Sequence, residues 1–227
     1  MQVKASAAEL ACYTRLREAI LSGALMPNER LIETDLASSL ETGRAVVRAA
    51  LARLEHEGLV ERAPNRGARV RRISEQEAVE ILEVRAALEA LAARQAAQNA
   101  TPDDVVTLQT ILEDMRAYSR ANDLLLYSDT NGRLHRTVIG IARHSTVERL
   151  IATLNAQNVR FQYRTILAPG RPANSLKEHE AIVHAIAAGD PDAAEQAMRT
   201  HLSHVADTLR TLASQKTQQP QAERITL

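Results

Sequence analysis

Residues 43–60 read GRAVVRAALARLEHEGLV, and this stretch decides how the N-terminal third of the chain is interpreted. Its large apolar residues recur three or four positions apart, which predicts a helix from Arg44 to Glu57 with one buried face. Those residues are Val47, Leu51 and Leu54. Arg44 and Arg48 are four apart, so both project from the same face near the N-terminus of the helix. That end of a recognition helix meets base edges in the major groove of DNA.

The residues on either side of this stretch complete a small domain. Leu10, Tyr13, Leu16 and Ile20 predict a first helix, and residues 33–40 predict a short second one. After the third helix, residues 59–60 and 68–70 flank a Pro-Asn-Arg-Gly turn and predict two short strands. Three helices followed by a hairpin predict a winged helix-turn-helix over residues 1–73. Arg66 and Gly67 lie at the hairpin tip, where a backbone can approach phosphate or a minor groove closely.

Four segments of this region resemble the GntR family of bacterial transcription regulators. They are residues 33–37 (ETDLA), 43–51 (GRAVVRAAL), 53–60 (RLEHEGLV) and 64–70 (PNRGARV). The length and the helical remainder resemble the FadR-type branch, which carries an FCD effector domain, and the resemblance covers residues 8–210. It implies that Arg44 and Arg48 contact bases, that Gly67 lies in the wing, and that Arg30 contacts phosphate. The family usually has Gly-Val-Ser-Arg-Thr-Pro-Val-Arg where residues 41–48 read ETGRAVVR.

Composition excludes several classes of protein. The 227 residues include 28 Lys+Arg and 28 Asp+Glu, so the formal net charge is zero and does not indicate a class of binding partner. Aromatic residues are 2% of the chain and Trp is absent, which disfavours a β-sandwich or barrel. The single cysteine, Cys12, excludes a disulfide framework within one chain and a cysteine-rich zinc site. With no apolar run of membrane-spanning length and no signal pattern, we expect a soluble cytoplasmic protein.

The remainder of the chain predicts an antiparallel bundle of about six helices. Helix-start signals recur with short connections between them: Ser74 with Glu77, Thr101-Pro102, Asn122-Asp123, Ser145, and Ser175 with Glu178 as a capping box. Gly189-Asp190-Pro191 separates the last two helices. We therefore expect a mainly α protein with a helical effector-binding and dimerisation domain over residues 74–215. Residues 216–227 are predicted to form a flexible tail.

Six of the seven histidines follow residue 130, and three of them are candidate metal ligands. Asn131 and His135 are four apart on one helix face. His179 lies ten residues before Gly189 and His201 ten residues after Pro191, so an antiparallel pair places them at the same level. Three imidazoles and an amide oxygen suit Zn²⁺, Ni²⁺ or a similar divalent transition metal. The FCD resemblance implies the same four residues. A buried His and Asn network without metal is the alternative.

Two arginines are candidates for binding an effector. Ile81, Val84, Leu88 and Leu91 predict the inward stripe of the helix that begins at Ser74, and Arg85 lies on or beside that stripe. A buried arginine needs a partner, which is either a ligand carboxylate held bidentately or an internal salt bridge to Glu89. Arg160, with Tyr163 and Arg164, is a weaker pocket candidate on a later helix.

These features favour a regulator over the other classes of function. We expect a homodimer that binds a palindromic double-stranded DNA operator and responds to a small carboxylate, with repression relieved by ligand as the family's commoner behaviour. One alternative is a DNA-binding protein whose helical domain only dimerises. In another, the arginines of the first domain are solvated charges on a protein-interaction module. A metal enzyme is disfavoured because the usual hydrolase and phosphate-binding motifs are absent from the sequence.

Overall fold

A computed structural model describes residues 6–63 and 67–218, without the side chains of residues 63, 159, 160, 162, 163 and 216–218. The described chain is mainly helical, as predicted. It divides into two compact units, residues 1–73 and 74–227, which are described separately. Among the described residues, no helix combines the length and the apolar character that crossing a membrane requires.

The first unit is a winged helix-turn-helix. Its elements are α1 (Ala7–Ser22), β1 (Arg30–Leu31), α2 (Glu33–Ser39), α3 (Arg44–His56), β2 (Val60–Ala63) and β3 (Gly67–Val70). The strands form an antiparallel sheet in the order β1-β3-β2, and the two-residue strand β1 was not predicted. The core joins the apolar face of α1 to that of α3, where Val47, Leu51 and Leu54 are fully buried. Leu10 is the exception in the predicted stripe of α1, since it is half exposed.

The turn between α2 and α3 has an unusual residue for its backbone conformation. The amide of Glu41 donates to the Ser38 carbonyl and the amide of Thr42 donates to the Ala37 carbonyl. This pair of bonds is a Schellman motif, in which the residue after the helix adopts a left-handed conformation that favours glycine. Glu41 occupies that position with φ of 51°. Gly43, two residues later, has φ of −78°, which any residue can adopt.

The second unit contains six helices within the residues that the structure describes. They are α4 (Glu75–Asn99), α5 (Pro102–Ala121), α6 (Leu124–Ala142), α7 (Ser145–Ile166), α8 (Arg171–Ala187) and α9 (Pro191–Gln218). Three starts have the predicted caps, because the side chains of Ser74, Thr101 and Asp123 accept from backbone amides of the following turn. Helix α4 packs against α6 and α9, and the main core lies among these helices, α5 and α8.

Three details of the helices differ from the sequence-based expectation. Helix α8 begins at Arg171 with Gly170 as its N-cap, so Ser175 and Glu178 are inside the helix and form no capping box. On α4, Val84 is 52% exposed and Leu91 is 37% exposed, so neither belongs to the inward stripe. Helix α9 continues to Gln218, within the predicted tail, and residues 219–227 lie outside the described part.

The start of α4 is tied to α7. Ser74, the N-cap, is the first residue of the second unit. Helix α4 begins at the next residue, Glu75, whose carboxylate accepts a hydrogen bond of 2.7 Å from Arg164 of α7. Both side chains are about 30% exposed, so this ion pair is partly shielded from water.

Candidate functional site

The two arginines predicted to contact bases lie on the exposed surface of α3. Arg44 is its first residue and Arg48 lies one turn later. The guanidinium of Arg48 donates from Nε and Nη2 to the carboxylate of Glu33 on α2, the shortest of these bonds being 2.9 Å. These hydrogen bonds hold the pKa of the Glu33 carboxyl below its usual range. Glu33 therefore orients Arg48 across the helix-turn-helix, a role that sequence reasoning did not assign to it.

Two other predicted DNA-contact residues, Arg30 and Gly67, belong to the strands of the sheet. Arg30 of β1 is exposed and stands opposite Arg69 in the β1–β3 pairing. Gly67 is the first residue of β3 and has φ of 74°, in the left-handed region. Arg62 of β2 donates to the Arg48 carbonyl at 3.0 Å, which fixes the wing against α3. Arg66, also predicted at the wing tip, lies outside the described residues.

Three predicted metal ligands converge inside the second unit. His135 comes from α6, His179 from α8 and His201 from α9, and all three are buried. One ring nitrogen of each lies within 4.8 Å of the corresponding nitrogens of the other two. The Nε2 atoms of His135 and His179 are 3.4 Å apart. Two ligand nitrogens bound tetrahedrally to one Zn²⁺ at about 2.0–2.1 Å would be about that far apart.

Each histidine is oriented by a contact at its other ring nitrogen. His135 Nδ1 donates to Glu89 of α4 at 2.6 Å, and His201 Nδ1 donates to Glu178 of α8 at 2.7 Å. His179 Nδ1 lies 3.3 Å from the Ser175 hydroxyl. Partners of this kind fix the tautomer and direct the remaining nitrogen toward a metal. We call the three histidines with these partners the histidine cluster.

Two imidazoles of the histidine cluster, those of His179 and His201, favour the neutral form. Burial holds the pKa of both His179 and His201 well below the usual range, and the neighbouring rings lower them further. A neutral imidazole keeps a lone pair for a metal, whereas a protonated ring has none. Burial, orientation and protonation state all fit a divalent transition metal.

A cavity of about 50 Å³ adjoins the histidine cluster. Its wall includes His135 and His201 together with Asn131, which is half-buried one turn before His135 on α6. Arg85 also lines the cavity, and its guanidinium is paired with Glu89 at 2.7 Å, the internal salt bridge that the sequence left open. Arg160, the other predicted effector residue, has a side chain outside the described part of the structure.

Sequence reasoning missed most of the supporting residues. Ser175 is four residues before His179, a spacing that could have paired them on one helix face. Glu178 gives no such signal, because it is adjacent to His179 and contacts a histidine of another helix. Asn158 of α7 and Arg171 of α8 also line the cavity and are buried. Their positions depend on how α7 and α8 pack, which periodicity does not determine.

A winged helix with exposed arginines on its third helix, followed by a helical unit with a buried histidine cluster, is the arrangement of a DNA-binding regulator. The comparisons with known proteins agree. Residues 9–70 match the family model described as bacterial regulatory proteins, gntR family, and residues 80–204 match the FCD domain. The chain belongs to the GntR family and carries an FCD domain, and it is a transcription regulator, not an enzyme.

Similar proteins of known name are also regulators. The chain is 31% identical to a probable D-xylose utilization operon transcriptional repressor of Paenarthrobacter nicotinovorans, over 81% of this chain and 80% of that one. It is 28% identical to the HTH-type transcriptional repressor RspR of Escherichia coli K12, over 88% of each chain. In fold it is similar to E. coli McbR/YncC, with a TM-score of 0.70 and 22% identity over 93% of this chain and 99% of that one.

Proposed function

We propose that this regulator is a repressor whose FCD domain holds a divalent transition metal and a small carboxylate effector. The observation that carries the proposal is the convergence of three buried imidazoles. In two of them, those of His135 and His201, the Nδ1 atom is hydrogen-bonded to a carboxylate. His135, His179 and His201 would hold the metal, with Asn131 as the oxygen donor. When bound, Zn²⁺ or Ni²⁺ supplies a positive charge and open positions for an anionic ligand.

We propose that the protein binds DNA as a homodimer. Two winged helices related by a two-fold axis match an operator of two inverted half-sites. Arg44 and Arg48 would contact bases, while Arg30, Arg66 and Gly67 would contact the backbone or the minor groove. The names of the similar proteins, which are repressors, support repression over activation.

Effector binding would alter DNA binding through differential affinity. A carboxylate that binds one arrangement of the dimer more tightly shifts the population toward that arrangement. The coupling is reciprocal, so operator DNA changes effector affinity by the same factor. The side chains that face the cavity hold the effector, and Glu89 and Glu178 keep the histidines in position.

Metal content of the purified protein, measured by elemental mass spectrometry, tests the proposal. We expect about one transition metal per chain in the wild type and its loss in the His179→Ala/His201→Ala variant. His184→Ala is the matched control, because His184 is on the same helix as His179 but is exposed. A wild type that takes up no Zn²⁺ or Ni²⁺ would overturn the metal site.

The same preparations test the regulatory part of the proposal. We expect a carboxylate to change operator affinity only when the histidine cluster is intact. If operator affinity is the same with and without metal and with and without carboxylates, the helical domain serves dimerisation alone.

A further inference from the structure

Two residues on the wall of the cavity beside the histidine cluster have buried polar atoms without a partner among the described residues. Asn158 is 1% exposed and Arg171 is 7% exposed. Within the described residues, neither the Oδ1 nor the Nδ2 atom of Asn158 has a hydrogen-bond partner, and the same is true of Arg171 Nη1. Buried polar groups without partners are costly, so native proteins rarely keep several at one place unless something else satisfies them. Both residues line the cavity, so each is within reach of a bound ligand.

The two arginines of the cavity wall that the structure describes, Arg85 and Arg171, are each paired with a carboxylate. Arg171 Nη2 donates to Glu178 Oε2 at 2.7 Å. Arg85 is paired with Glu89 in the same way, at 2.7 Å. Each described arginine of the wall therefore has its own carboxylate. Among the side chains that the structure describes, a second carboxylate on a ligand would therefore meet no uncompensated charge to offset its lost hydration.

The unpartnered atoms match a hydroxyl better than any group that only accepts. Asn158 offers an acceptor and a donor, and Arg171 Nη1 offers a donor. A hydroxyl can donate to Asn158 Oδ1 and accept from Arg171 Nη1, which leaves Asn158 Nδ2 for another oxygen of the ligand. A carbonyl or a carboxylate oxygen would leave Asn158 Oδ1 unsatisfied.

The cavity size limits the ligand further. One water needs about 10–15 Å³ of the space that its centre can occupy. A cavity in which this space is about 50 Å³ therefore holds about four waters. A small molecule with a carboxylate and a hydroxyl on three or four carbons is of comparable size.

We propose that Asn158 and Arg171 form a hydroxyl-recognition subsite, and that the effector is a small hydroxy monocarboxylate rather than a dicarboxylate. The inference rests on the proposed function, in which the carboxylate of the effector binds at the histidine cluster. It adds that Asn158 and Arg171 bind the other end of the effector and that the group they recognise there is a hydroxyl.

Calorimetric titration of the full chain with four compounds tests the subsite. The compounds are butyrate, 3-hydroxybutyrate, 4-hydroxybutyrate and succinate, each titrated into protein with and without added Zn²⁺. We expect at least one hydroxybutyrate to bind at least tenfold more tightly than both butyrate and succinate. In Asn158→Leu we expect hydroxybutyrate and butyrate to bind within about twofold of each other, with metal content unchanged.

Thermal unfolding without ligand separates recognition from a structural role. Asn158→Leu removes two unpartnered buried atoms, so we expect it to melt at a higher temperature than the wild type. Asn155→Leu is the matched control. Its Oδ1 is also buried without a described partner, but Asn155 is not part of the cavity wall. It should also raise the melting temperature and should leave the preference for hydroxybutyrate intact.

The outcomes distinguish this inference from the proposed function. Normal metal content with tightest binding of succinate, or with no preference for a hydroxyl, overturns the subsite alone. A lower melting temperature for Asn158→Leu also overturns it, because Asn158 would then be satisfied within the protein. Absence of metal overturns the proposed metal site, and the titrations and melting curves of the metal-free protein still decide the subsite.

Discussion

Replacing Glu41 with glycine should stabilise the helix-turn-helix. Glu41 has φ of 51° at the end of α2, a conformation that costs a residue other than glycine about 1–2 kcal/mol. Glycine removes that cost but loses about 0.5–1 kcal/mol through its greater freedom in the unfolded chain. The net gain is therefore about 0.5–1 kcal/mol. Because 1.4 kcal/mol corresponds to a factor of ten, amides of α2 and α3 should exchange with solvent about two to five times more slowly.

Hydrogen exchange of the full-length protein, read by mass spectrometry on peptides from α2 and α3, measures this change. Glu41→Ala is the first control, because it removes the charge and keeps the backbone cost, so exchange should stay near the wild-type rate. Gly23→Ala is the second control. Gly23 ends α1 with φ of 85°, and an added Cβ would meet no atom within 4 Å. Gly23→Ala therefore adds only the cost of the left-handed backbone conformation, so it should destabilise the protein where Glu41→Gly stabilises it. Equal slowing by Glu41→Gly and Glu41→Ala would refute the backbone explanation.

Four further outcomes follow from individual contacts in the structure. Arg44→Ala and Arg48→Ala should each weaken specific operator binding by about 5- to 150-fold in fluorescence anisotropy, and unchanged affinity would contradict base contact. Hydrogen bonds from Arg48 lower the pKa of Glu33, so this ion pair is intact at neutral pH and is lost only as pH falls through that lowered pKa. Glu33→Gln should thus increase affinity for non-specific DNA and steepen its salt dependence, and an unchanged salt slope would count against the pairing. Tyr13→Phe removes a hydrogen bond of 2.7 Å to Glu57 and should cost about 1 kcal/mol, seen as faster exchange of α1 amides; an unchanged rate would show that the bond contributes nothing. Glu89→Ala leaves buried Arg85 unpaired and should cost about 3–5 kcal/mol, so a melting temperature close to the wild type would contradict that role.

The sequence predicted helices well where caps and large apolar residues agree. Ser74, Thr101 and Asp123 cap helices as expected, since these side chains satisfy free amides at a helix start. The convergence of His179 and His201 followed from counting residues on either side of one turn. That counting works because neighbouring antiparallel helices rise by the same distance per residue.

Helix α4 shows why other features could not be predicted. Its buried face is built largely from alanine, including Ala78, Ala92 and Ala96, which periodicity gives little weight. The larger Val84 and Leu91 therefore indicated the wrong face. Strand β1 is two residues long, too short for a pattern of alternation. Ser175 and Glu178 have the spacing of a helix start, but Gly170 and Arg171 begin the helix one turn earlier.

The position of α4 in the chain gives the cavity a short covalent route to the DNA-binding unit. Arg85 is ten residues after Glu75, about 15 Å along the helix, and the DNA-binding unit ends at Ile73. The Arg164–Glu75 ion pair attaches α7, the helix that carries Asn158, to the first residue of α4. Helices α4 and α7, which both line the cavity, are thus joined at Glu75, two residues after the end of the first unit. Under the proposed function, an effector that tilts or turns α4 would displace Ser74, the residue through which the second unit is covalently joined to the winged helix.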